Sequence, residues 1–136
     1  MLSKINSFKK EERLCSKKFL KELFDNGSSF LVYPFRAIWL SSPNQNQPFP
    51  IQVVISVPKK RFKSAVDRNL IKRRTKEIYR KGKEQQLYPA VNLHQKKILL
   101  GLSYVGKEIH DFDYLQQKLH TLFKTLILKL QENAGI

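Results

Sequence analysis

The chain has 136 residues, 41% of them apolar and 27% charged, with 26 Lys or Arg against 11 Asp or Glu for a formal net charge of +15. That length suits one domain with one core, the apolar share argues against disorder, and no apolar run approaches the roughly 18–20 residues that span a bilayer. The single cysteine, Cys15, excludes an internal disulfide framework and a Cys-rich zinc site, as suits a reducing cytosol.

The opening Met1-Leu2-Ser3-Lys4-Ile5-Asn6 lacks the apolar core of a secretory signal, and residues 1–12 read as a flexible basic segment. Residues 14–26 carry Leu14, Leu20, Leu23 and Phe24 at helical spacing, with Asn26-Gly27 as the stop. Phe30 to Leu40 is β-prone, and Pro34 forces a break or an edge position within it. Residues 41–50 form a polar loop punctuated by prolines. Ile51, Val53, Ile55 and Val57 alternate as a strand does, and Pro58 ends the run. A helix follows from Ser64 to about Gly82, then an apolar strand from Ile98 to Val105. Asp111 or Asp113 can cap a last helix carrying Leu115, Leu119, Leu122, Phe123, Leu126 and Leu130 on one stripe. This order predicts one α+β domain over residues 1–136, a sandwich with helices packed on a single sheet.

The charge is concentrated. Residues 59–83 hold twelve cationic side chains and only two acids, Asp67 and Glu77, which is +10 of the total +15. At about 100° per residue, Asn69, Lys72, Arg73, Lys76, Arg80 and Lys83 share one stripe of the 64–82 helix and its end. Ile71, Thr75 and Ile78 lie opposite, so the helix should pack through them and show its cations outward. Asp67 and Glu77 lie off the stripe, which predicts a row without internal neutralisation. A solvated helix interleaves both signs at i,i+4; this row costs free energy until phosphates meet it. Arg68 can fork a phosphate, and Asn69 can serve a phosphate oxygen or a 2′-hydroxyl close to a helix N-terminus.

Val57-Pro58-Lys59-Lys60, Ala65-Val66-Asp67-Arg68-Asn69, Lys72-Arg73 and Lys76-Glu77 resemble the protein subunit of bacterial ribonuclease P. Arg13-Leu14, Leu20, Leu23-Phe24 and Gly27 are similar to that family's opening helix, and Leu115, Leu119 and Leu122-Phe123 to its last one. Three positions depart: Ser64 replaces an Asn, Leu70 an Arg and Lys76 an Arg, the last keeping charge without the guanidinium fork. Arg74, one turn beyond Leu70, is the candidate to act in place of the arginine absent there.

The resemblance implies an αβββαβα two-layer sandwich with a left-handed βαβ crossover, against the usual right hand. It implies an endoribonuclease subunit whose catalyst is RNA, working with Mg²⁺ held through that RNA, and hydrolytic removal of the 5′ leader of precursor tRNA. The implied partners are the catalytic RNA and precursor tRNA, with no membrane and no further protein required. The implied RNA-binding residues are Lys59, Lys60, Arg68, Asn69, Lys72, Arg73, Arg74, Lys76 and Arg80. A cleft between the first helix and the sheet would hold the single-stranded leader. Leu20 and Phe24 match its helix side, and Phe35, Ile38 or Trp39 are candidates to face them, with ordinary core packing the alternative for each.

Direct protein chemistry is not expected. His94, His110 and His120 are scattered, with no i,i+4 metal pair and no general acid–base couple, so no metal site belongs to the protein alone. Cys15 reads as a buried or half-exposed structural thiol. The rival readings are a ribosomal or other scaffold RNA-binding protein without a leader site, a DNA-binding architectural protein, and a standalone ribonuclease.

Overall fold

The computed structural model describes residues 8–93 and 96–134. A single 3₁₀ turn, Lys10–Glu12, leads into helix α1 (Lys17–Asn26), strands β1 (Ser28–Val32), β2 (Phe35–Ser41) and β3 (Ile51–Ser56), and helix α2 (Ala65–Gly82). A π-helical turn (Lys83–Leu87) and the short helix α3 (Tyr88–Leu93) follow, then β4 (Ile98–Tyr104) and α4 (Phe112–Ala134). This is the expected αβββαβα order with one added short helix.

Local chemistry sets the boundaries. Ser16 caps α1, its hydroxyl accepting from the Phe19 N–H at 3.3 Å, so the helix starts later than its apolar spacing suggests. Leu14, read as helical, instead donates its N–H to the Val53 carbonyl at 2.9 Å and lies against the edge of β3. Tyr33-Pro34, joined by a cis peptide, turns the chain from β1 into β2. The Asp111 carboxylate accepts from the Tyr114 N–H at 2.8 Å as α4 begins. Ser64 caps α2 by accepting from the Asp67 N–H at 3.4 Å. Replacing it by alanine should cost about 0.5–2 kcal/mol in urea unfolding, and an unchanged midpoint would refute the cap.

The sheet order is β1-β2-β4-β3, with β3 and β4 parallel and the other pairs antiparallel. The parallel pair is joined through α2, the π turn and α3. One face of the sheet, with Phe35, Ala37, Trp39, Leu100 and Leu102, is closed by α2 through Ile71 and Ile78 and by the leucine stripe of α4. On the other face Leu23 of α1 joins Leu14 and Leu99, with Leu20, Ile38 and Val54 packed around them. The two expected layers are thus supplemented by a partial third. Glycine permits this close approach: a Cβ at Gly101 would lie 2.9 Å from Ile38, and one at Gly27 would lie 2.5 Å from the Leu23 carbonyl oxygen. Among the described residues no helix is long and apolar enough to cross a membrane.

Candidate nucleic-acid interface

The apolar side of α2 packs as its spacing predicts, with Ile71, Thr75 and Ile78 buried, joined by Tyr79 and Gly82. The opposite side forms one wall of a groove of about 510 Å³, lined by Asn69, Lys72, Arg73, Lys76 and Arg80. The other wall is Phe8 and Arg13, from the segment ahead of α1. Five cations therefore converge on a concave surface whose lining includes one carboxylate, Glu77. Low-dielectric walls focus such a field outward, which favours phosphate.

Two expectations for this row need correction. Lys83 does not point to solvent: it is fully buried and ion-paired with Glu12, because the N-terminal segment crosses the end of α2 and covers it. Nor is the row free of internal pairing. Glu77 accepts from Arg80 at 2.6 Å and lies 3.6 Å from Lys81, since one helical turn brings these side chains together despite their different sectors. The Arg80 hydrogen bond holds the Glu77 carboxyl below its ordinary value. That small stabilisation is present above the unfolded carboxylate range and fades as pH falls through the lowered value.

The remaining cations divide by role. Arg68 turns back on the preceding loop, donating from one Nη to the carbonyls of Phe62 and Lys63 at 2.8 and 2.9 Å. With Phe62 buried against Tyr104, this holds the loop that carries the exposed Lys59 and Lys60, which extend the basic surface without lining the groove. Arg74 donates to the His110 carbonyl at 2.7 Å, tying α2 to the approach of α4. One Nη of its guanidinium is thereby engaged within the fold, and the side chain is half-buried. Asn69, Arg73 and Lys76 are exposed, and Lys72 is half-buried.

The cleft under α1 also differs from expectation. Ile38 faces α1, where Leu20 packs beside it, and Phe24 is 54% exposed. Phe35 and Trp39 are buried in the core on the opposite face of the sheet. Strand alternation sends Phe35, Ala37 and Trp39 one way and Arg36, Ile38 and Leu40 the other, so these two aromatics cannot line the same cleft as Ile38.

The N-terminal segment was the feature least visible in the sequence. Of the stretch expected to be flexible, residues 1–7 lie outside the described residues, whereas Glu12 is buried with Lys83 and accepts from the Tyr88 hydroxyl at 2.5 Å. Burial, the neighbouring Tyr79 and the Glu12 bond raise the Tyr88 hydroxyl far above its ordinary pKa, so it remains a neutral donor. Glu12-Arg13-Leu14 carries no apolar–polar alternation in the sequence, and the inward turn of Glu12 and Leu14 around an outward Arg13 emerges only in the fold.

Cys15 is exposed, rather than buried or half-exposed. His110 stacks on Tyr114 with ring centroids 4.3 Å apart, His120 lies against Phe123, and His94 lies outside the described residues. Among the described residues no group of three or more His, Cys, Asp or Glu could hold a metal ion.

A family model described as Ribonuclease P matches residues 8–127. The ribonuclease P protein component of Porphyromonas gingivalis (strain ATCC 33277) is 30% identical over 110 residues, covering 81% of this chain and 79% of that protein. The component from Petrotoga mobilis is 33% identical over 125 residues, covering 92% and 96%. Among solved structures, the RNase P protein from Thermotoga maritima in complex with 1-(4-fluorophenyl)-2-thiourea superposes with a TM-score of 0.65 at 23% identity, covering 82% of this chain and 97% of that one. The Staphylococcus aureus RNase P protein gives 0.64 at 22% identity, covering 85% and 94%. At that identity the structural likeness speaks for the fold alone.

Proposed function

The chain belongs to the ribonuclease P protein family, and from that premise we propose that its α2 groove docks the catalytic RNA of ribonuclease P. The observation that carries this reading is the concave wall of Lys72, Arg73, Lys76 and Arg80, closed by Arg13, with Asn69 at the end nearer the helix start. Arg and Lys there neutralise phosphates and release counterions, while the Asn69 amide can distinguish a ribose by its 2′-hydroxyl.

The second surface is the sheet face only partly covered by α1. Leu20 of α1 and Ile38 of β2 pack in one cluster there, and Phe24 of α1 presents an exposed ring. A single-stranded 5′ leader of precursor tRNA fits that chemistry, because stacking on an aromatic ring contributes about 1–3 kcal/mol per base without demanding a sequence. The protein thus works in the cytoplasm as the binding subunit of a ribonucleoprotein whose RNA catalyses leader removal.

Magnesium would be held by the RNA. Mg²⁺ keeps most of its waters and takes few protein ligands, so the phosphates of the bound RNA would supply its anionic partners. The protein's own contribution is to bind and orient the two RNAs and to screen their repulsion.

The test is reconstitution with ribonuclease P RNA and precursor tRNA. The protein is expected to lower the Mg²⁺ concentration needed for cleavage and to bind long-leader substrates more tightly than leaderless ones. Tight binding to the RNA without either effect would instead favour a scaffold protein lacking a leader site.

A further inference from the structure

We infer that Arg13 is a phosphodiester-binding residue of the RNA groove, and that Phe8 and the buried Glu12–Lys83–Tyr88 cluster are positioning residues that hold it there. The inference rests on the α2 groove being the RNA face. It concerns a segment that the helix pattern alone leaves out.

Arg13 is exposed and extended, with φ −93° and ψ 135°. Its neighbours are anchored on both sides. Glu12 points inward to Lys83 and Tyr88, while Leu14 is buried and bonds through its N–H to the Val53 carbonyl. An extended chain alternates its side chains, so two inward anchors oblige Arg13 to face outward between them. The Phe8 ring then supports the guanidinium, whose Cζ lies 5.8 Å from the ring centroid. The same ring packs on Tyr79 at 5.6 Å and lies 5.4 Å from the Lys83 ammonium.

Lys83 continues the spacing of Lys76 and Arg80 along α2, so without the segment it would extend the cationic row. The segment neutralises that lysine with Glu12 and places Arg13 on the facing wall instead. A convex row of cations is thereby converted into a groove with cations on both sides, which can reach a phosphate backbone from two directions. A buried ion pair adds little net stability compared with apolar packing, but it specifies one geometry. Here that geometry puts a guanidinium fork, suited to bidentate phosphate contact, opposite the α2 wall.

The experiment measures affinity for ribonuclease P RNA against salt concentration for the full chain. Arg13→Ala is expected to weaken binding about three- to tenfold and to reduce the log–log salt slope by about one. Arg13→Lys should restore the slope but not the full affinity. Glu12→Gln should lose the same slope increment, and the double variant with Arg13→Ala should bind no worse than Arg13→Ala alone. If Glu12→Gln does not fold, Phe8→Ala carries the same expectation without leaving a charge unpaired. An unchanged slope in Arg13→Ala beside a lowered slope in Lys72→Ala would overturn this inference alone. Unchanged slopes in both would overturn the RNA-face reading beneath it. Full additivity of Glu12→Gln, or of Phe8→Ala where that variant stands in, with Arg13→Ala would overturn the positioning role.

Discussion

Raising monovalent salt from about 50 to about 200 mM is expected to weaken the complex with ribonuclease P RNA by about a thousandfold. Arg13, Lys72, Arg73, Lys76 and Arg80 line the groove, and Lys59 and Lys60 stand exposed ahead of α2. About seven phosphates neutralised by these cations would give a log–log slope near −5 at roughly −0.7 per phosphate. Lys72→Ala and Arg73→Ala should each lower that slope by about one, because each removes one released counterion. The measurement is filter binding or fluorescence titration across a salt series. A slope near zero would mean that phosphate does not lie in the groove.

Lys83→Met is expected to destabilise the fold by about 3–5 kcal/mol, because it leaves the Glu12 carboxylate buried without its cation. Tyr88 would still donate to Glu12, but one neutral hydroxyl does not replace an ammonium. In a chain of 136 residues this corresponds to a fall in Tm of roughly 10–20 °C. Pairing the change with Glu12→Met should recover most of the loss, since an apolar pair of similar volume removes both desolvation penalties together. Differential scanning calorimetry of the two single variants and the double closes the cycle. A loss below about 1 kcal/mol for Lys83→Met would show that water or another group already compensates Glu12.

Much of the fold was legible because its signals are local. Proline at 34, the 51–57 alternation, the helix start at Ser64 and the leucine stripe from 115 to 130 each act within a few residues. The α2 surface was legible for the same reason: helical periodicity alone separates Ile71 and Ile78 from Lys72, Lys76 and Arg80. What escaped depended on partners distant in the chain. Alternation groups Phe35 with Trp39 and Ile38 with Leu40, but cannot say which group meets α1 and which meets α4. Spacing likewise does not show that one Nη of Arg74 is held by the His110 carbonyl, 36 residues away. The π turn and α3 were not foreseen because 83–93 follows a charged helix without a clear periodic pattern.

By itself, then, the sequence determined the order of the main elements and the cationic side of α2, since spacing encodes these, and its motifs carried the family resemblance. Only the tertiary structure decided that Lys83 turns from a surface cation into the buried partner of Glu12, 71 residues away in the chain, and that Arg13 takes a place opposite α2. The physical reason is that burial and charge pairing are properties of surfaces meeting in space. Whether a lysine ends in water or against a carboxylate depends on which segment crosses it.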